Sequence, residues 1–141
     1  ICGTGIVSDP KVRPELEAFA EDIALWSDMF VPPDEETDAY LAKTPYVGKG
    51  FEFIGKTPKA DAFLRNIHNF TYGATLSMGL SASSISGMKY GIPRLVSAVV
   101  GALFREDSAY HLGELRSYSE ELITRADLPD DLPAAHAAAK G

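Results

Sequence analysis

Glycine and serine crowd into Ser77 to Tyr90 (SMGLSASSISGMKY), where a chain can bring its backbone close to a ligand. Gly79 and Gly87 permit close approach, and the serines add hydroxyl and N–H groups without bulk. The apolar Met78, Leu80, Ile85 and Met88 alternate through the same run, which favours packing over a loop in solvent. Ser84, Ser86, Gly87, Met88 and Lys89 are therefore candidate ligand contacts. Their chemistry is hydrogen-bond donation to a phosphate or carbonyl oxygen at the start of a helix. A flexible surface loop has the same composition and is the alternative.

Two further groups could touch a ligand. His68 sits in Arg65-Asn66-Ile67-His68-Asn69-Phe70, the densest polar and aromatic cluster of the chain. An imidazole there could orient a cofactor ring or a substrate. A satisfied, partly buried histidine weighs equally. Near the start, Gly3-Thr4-Gly5 follows an apolar run and resembles half of a dinucleotide fingerprint. The third glycine is missing, and Pro10 stands where the helix should open, so a plain strand-end turn is the stronger reading. No acid, base or nucleophile stands out, which leaves the catalytic residues unknown. Cys2, His68, His111 and His136 lack ligand-like spacing, so no metal site is expected.

The elements that must position these residues follow from periodicity. Ile1 to Val7 reads as a short strand. Leu16, Phe19, Ala20, Ile23, Trp26 and Phe30 recur at helical spacing, which predicts a helix over 14–30. Pro32-Pro33 stops it, and a short acidic helix follows over 34–43. Phe51-Glu52-Phe53-Ile54 alternates as a short strand after a glycine loop. One or two helical turns cover 60–68, with Phe63, Leu64 and Ile67 inward. A largely buried helix runs from Pro93 in its first turn to Phe104 or Arg105. Asp107-Ser108 caps another helix reaching Arg125. The fold class is α/β leaning mostly α, with about four helices and a few short strands. Residues 1–126 form a single domain or fragment, and 127–141 a flexible Pro/Asp/Ala-rich tail, helical at most over 134–139.

Composition bounds the function. The chain has 141 residues, enough for one core. A net charge of -7 with scattered Lys and Arg argues against nucleic acid. No apolar run reaches the length of a membrane span. One cysteine excludes an internal disulfide framework and fits a reducing, cytoplasmic setting. The start, ICGTGIV, reads as an apolar strand cut from a larger protein, over the alternative of a natural mature terminus.

Three stretches resemble the C-terminal region of bacterial flavin-dependent, monooxygenase-like oxidoreductases with two dinucleotide-binding domains. Ile1-Cys2-Gly3-Thr4-Gly5 is similar to the turn with which that family's chain re-enters its FAD domain. Pro45 to Phe53 (PYVGKGFEF) resembles a linking segment, and Arg65 to Phe104 the last FAD-domain strand, the turn beneath the flavin and the closing helix. The resemblance implies FAD and NAD(P)H in a parent protein, with Gly3, Thr4 and Gly5 near the FAD and Ser84 to Lys89 near its ring. Both nucleotide fingerprints are absent, and Ser84-Ile85-Ser86-Gly87 replaces the acidic residue common before the closing helix. The chain alone is thus expected to bind no cofactor and to be inactive. Its expected partners are the rest of the parent polypeptide and, in a homo-oligomer, a second copy. Two rivals remain: a helical interaction domain using the apolar face Leu95 to Phe104, and a small-ligand module using the Gly/Ser crossing.

Overall fold

A computed structural model describes residues 5–120. These fall into two units, one ending at Arg105 and one beginning at Glu106. The first unit is organised by four short extended segments, 23–25, 44–48, 51–56 and 67–69, joined by isolated antiparallel bridges rather than regular strands. Segment 23–25 and its two flanking residues lie between two others. Ala24 N–H donates to Ile54 O at 2.8 Å and Lys56 N–H to Asp22 O at 2.9 Å. On its other edge Tyr46 N–H donates to Ala24 O at 2.8 Å and Trp26 N–H to Thr44 O at 3.0 Å. Segment 51–56 also pairs with 67–69, through Phe53 N–H to Ile67 O at 2.9 Å and Asn69 N–H to Phe51 O at 2.7 Å. The expected strand over 51–54 is thus present as an extended segment, whereas 67–69 pairs with it instead of continuing the helical turns expected over 60–68.

The helix expected over 14–30 does not form. That stretch holds 3-10 turns at Pro14–Leu16 and Ala20–Asp22, then extended backbone, then a single turn of α-helix, α1 (Trp26–Met29). The helical stripe misled because Ile23, Ala24 and Leu25 are buried by pairing across the chain, which satisfies their backbone from both sides. The acidic helix splits into a 3-10 turn, Asp34–Glu36, and α2 (Ala39–Ala42). Asp38 caps α2 by accepting from Tyr40 N–H at 2.7 Å and Leu41 N–H at 3.0 Å, so the chain restarts there. Helix α3 (Pro58–Leu64) begins with Pro58 in its first turn and Thr57 Oγ1 accepting from Ala60 N–H at 3.2 Å. Leu64 is sealed inside, while Phe63 is half exposed and meets Phe19 edge-on at 5.8 Å.

Phe51 turns the loop between 44–48 and 51–56 with φ 71°, a left-handed conformation uncommon for a bulky residue. Its fully buried ring meets Phe70 edge-on at 4.8 Å, so the packing of the side chain holds the turn. Around it gather Ile23, Val47, Phe53, Ala60, Leu64, Ala74 and Ala82.

The Gly/Ser crossing is helical rather than a loop. It comprises α4 (Thr75–Met78), a 3-10 turn at Gly79–Ala82, and the start of α5 (Ile85–Glu106). α5 therefore begins eight residues before Pro93, which lies inside it at the cost of one backbone hydrogen bond. Nor is α5 largely buried: Gly91 is its one buried residue, and Val96, Val100 and Leu103 are each more than half exposed. Six α-helices in all occur among the described residues, against the four expected. In the second unit α6 (Ser108–Ser117) stops short of Arg125, and the Asp107 side chain makes no capping bond. Residues 1–4 and the tail over 127–141 lie outside the described residues, as does the expected boundary at 126.

Candidate functional site around His68

His68 is positioned by the pairing of 67–69 with 51–56, where it bridges to Glu52. Its Nδ1 lies 2.7 Å from Gly50 O. A carbonyl only accepts, so Nδ1 carries a proton and donates to it, which orients the ring and leaves Nε2 outside this bond. The same turn is tied from the other side by Glu52, whose Oε2 accepts from Gly50 N–H at 2.7 Å. His68 lines a cavity of about 200 Å³ with Ser8, Arg13, Glu15, Asn69 and Thr71 on its polar side and Leu16, Phe53 and Ile67 on its apolar side. Asn69 and Thr71 are fixed against each other, with Thr71 Oγ1 donating to Asn69 Oδ1 at 2.6 Å.

Arg13 brings the opposite charge to this polar wall. It sits between the turns Pro10–Val12 and Pro14–Leu16, donates to Val7 O at 3.4 Å, and is 3.9 Å from Glu15. Arg13 and Glu15 also line a shallower cavity that includes Gly5. The fold thus brings Gly5 and His68 to cavities sharing the Arg13–Glu15 wall, across some sixty residues of sequence. Gly5 adopts φ 85° in open space, as a turn glycine does. Gly3 and Thr4 lie outside the described residues.

The crossing residues are placed differently. A Cβ on Gly87 would stand 2.2 Å from Leu80 O, and one on Gly91 2.2 Å from Ser81 O. These glycines let α5 press against the 79–82 turn, so their close approach is to the chain's own backbone. Ser84 Oγ donates to Leu80 O at 3.0 Å and accepts from Gly87 N–H at 3.0 Å, which closes the same corner. Ser86 and Lys89 are exposed, Met88 is half-buried, and Lys89 Nζ lies 4.8 Å over the Tyr90 ring. Gly5 and His68 thus line separate cavities that share Arg13 and Glu15, and Ser84 to Lys89 form a group apart from both.

The chain is 41% identical over 104 residues to an FAD-dependent urate hydroxylase of Xanthomonas campestris pv. campestris. That match covers 74% of this chain and 22% of the relative. The likeness supports a flavin-dependent oxidoreductase-like fragment. The chain spans about a fifth of the relative's length. No protein-family model and no solved structure matches it.

Set against FAD, the described residues form only part of a site. The His68 cavity is smaller than the pockets that usually enclose a drug-sized ligand. Of the crossing glycines, Gly87 faces the backbone of Leu80, while Gly79 stands in open space at φ 63°. FAD as a whole does not fit these residues. What they provide is one polar edge: an oriented imidazole, a guanidinium and two hydroxyls. No group of metal-ligating side chains occurs among the described residues, and no helix there is long and apolar enough to cross a membrane. Sequence reasoning found His68 but missed Ser8 and Arg13. The one available signal was Arg13 held between Pro10 and Pro14, and nothing in the sequence linked it to a histidine 55 residues away.

Proposed function

We propose that this chain is part of an FAD-dependent, NAD(P)H-using oxidoreductase of monooxygenase type, acting in the cytoplasm. The observation that carries the reading is the 41% identity with the urate hydroxylase. The FAD- and nicotinamide-binding portions belong to the rest of a longer polypeptide, the chain's first partner. FAD supplies the redox chemistry there. The residues of this chain bind and orient: His68, with a proton held on Nδ1 by Gly50 O, presents an oriented ring to a polar ligand, and Arg13 offers a charge-assisted donor. Urate, taken from the relative's name, is the first substrate to test.

The test is the longer polypeptide, purified and examined for flavin absorbance and for urate-dependent NAD(P)H oxidation. A yellow protein that consumes NAD(P)H with urate is expected. A colourless one that takes up no flavin on reconstitution overturns the reading. A second reading, a helical interaction module, is favoured by the exposed apolar stripe on α5.

A further inference from the structure

The cavity beside His68 holds polar groups that the fold positions and then leaves unpaired. Ser8 is 7% exposed, yet its hydroxyl bonds to no described residue. No sealed side-chain nitrogen or oxygen among the described residues lacks a partner, so the unbonded Ser8 hydroxyl opens into the cavity it lines. A buried hydroxyl without a partner is destabilising, and a ligand that bonds it removes that penalty.

Arg13 and Glu15 are incomplete in the same way. Arg13 Nη1 lies 3.9 Å from Glu15 Oε1, too far for a hydrogen bond. Among the described residues the guanidinium donates only to Val7 O, at 3.4 Å, which leaves most of its five N–H groups open. Glu15 accepts a hydrogen bond from no described residue. Their side chains are 41% and 64% exposed, so the pair stands nearer solvent than Ser8. Asn69 Oδ1 is taken by Thr71, while the Asn69 amide N–H groups bond to no described residue. Leu16, Phe53 and Ile67 complete the lining with apolar surface.

These groups specify a ligand. It is small, because the cavity measures about 200 Å³, and it has an apolar face to lie against Phe53 and Ile67. Its polar edge carries an acceptor and a donor side by side, because Arg13 only donates and an ionised Glu15 only accepts. A simple anion suits Arg13 and is repelled by Glu15, and a simple cation meets the reverse. A carbonyl next to an N–H, the edge of a cyclic amide, meets both. We propose that the cavity lined by Ser8, Arg13, Glu15 and His68 binds a small flat heterocycle by such an edge. Arg13 donates to the carbonyl oxygen, Glu15 accepts from the adjoining N–H, and Ser8 and Asn69 bond the polar atoms that enter further. As a substrate subsite the cavity rests on the oxidoreductase reading; as a binding site it stands without flavin, and the two fail separately.

Isothermal titration of the 141-residue chain with hypoxanthine, a flat purine with one such edge, tests it. 1-Methylhypoxanthine is the comparison, since it keeps the rings and the carbonyl and loses the adjoining N–H. The expected result is saturable one-to-one binding of hypoxanthine, with amide NMR shifts gathered at Ser8, Arg13, His68 and Asn69. The methylated compound should bind at least about tenfold more weakly, the scale of a hydrogen bond to a charged group. Arg13→Gln should weaken hypoxanthine binding by at least about tenfold, and Ser8→Ala by about three- to tenfold. Circular dichroism checks that every chain titrated is folded, and the two compounds test the edge on the unmodified chain. A folded chain that binds no hypoxanthine overturns the proposal. Equal binding of the two compounds, an Arg13→Gln chain of unchanged affinity, or shifts gathered at the Gly/Ser crossing overturns it equally. Each of these outcomes leaves flavin uptake by the longer polypeptide untouched.

Discussion

Two stretches of this molecule put apolar residues to opposite uses. Between residues 20 and 74 no helix exceeds seven residues, yet all but one of the eight core side chains lie there. Helix α5 runs for 22 residues and gives the core only Gly91, part of Leu95 and the Ala98 methyl against Gly50. Cross-chain pairing of backbone supplies Ile23, Val47, Phe51 and Phe53, and short helical elements supply the other half of the core. Where four extended segments exchange hydrogen bonds, side chains from distant positions are brought to one centre. Where a helix satisfies its own backbone, it needs only small residues to seat it, and its large ones are left for something else.

The sharpest way to break this contrast is to truncate one large residue on each side. Phe51→Ala empties the centre of the core and removes the ring that holds a positive-φ turn, and should cost about 3–5 kcal/mol. Leu103→Ala, on the exposed half of α5, should stay within about 0.5 kcal/mol. Urea denaturation of the two variants decides. Equal losses would mean that α5 is as integral to the folded unit as the paired segments.

Within α5 one substitution should change sign along the helix. Gly91→Ala places a methyl 2.2 Å from Ser81 O and 3.0 Å from the Phe70 ring. Backbone cannot retreat cheaply, so a loss of about 1–3 kcal/mol is expected. Gly101→Ala meets only the end of the Arg105 side chain at 3.4 Å, and should gain about 0.5–1 kcal/mol from helix propensity. Thermal melts of both variants check it. A gain at both positions would show that the seam between α5 and the 79–82 turn is loose.

The same contrast explains what was legible in the sequence. Local signals were read in part where local chemistry decides. The helical turns expected over 60–68 form as α3, which starts earlier at Pro58 and ends at Leu64, and the alternation at Phe51–Ile54 gave an extended segment. The failures came where distant pairing decides. Ile23 and Trp26 belong to a helical stripe, but Ile54, Thr44 and Tyr46 claim the backbone around them. Gly79 and Gly87 were expected to let the backbone approach a ligand; Gly87 approaches the chain's own Leu80 carbonyl, and Gly79 stands in open space. His68 was visible within the polar and aromatic cluster 65–70, whereas its cavity required Arg13 to arrive through two proline-fixed turns.

The smallest effect concerns the tie between the paired segments and α3, and it is read best through pH. Asp61 Oδ1 accepts from Gly55 N–H at 3.1 Å, and Oδ2 pairs with Arg65. The Arg65 hydrogen bond first, then the Gly55 N–H, hold the Asp61 carboxyl below the ordinary carboxylate range. Asp28 is lowered in the same direction, chiefly by Leu25 N–H and then by Lys56. A carboxylate with a depressed folded value stabilises fully above its unfolded value and loses that contribution as pH falls through the folded one. Arg65 is largely exposed, so solvent screening holds the Asp61 contribution to on the order of 0.5 kcal/mol. Asp61→Asn keeps an oxygen for Gly55 but removes the charge. Its urea midpoint should therefore lie below that of the unmodified chain at neutral pH and converge with it in acid, with Asp28 still supplying part of the remaining slope. A gap that stays constant from neutral to acid pH would mean that Asp61 acts by shape alone, and that the paired segments hold α3 without its charge.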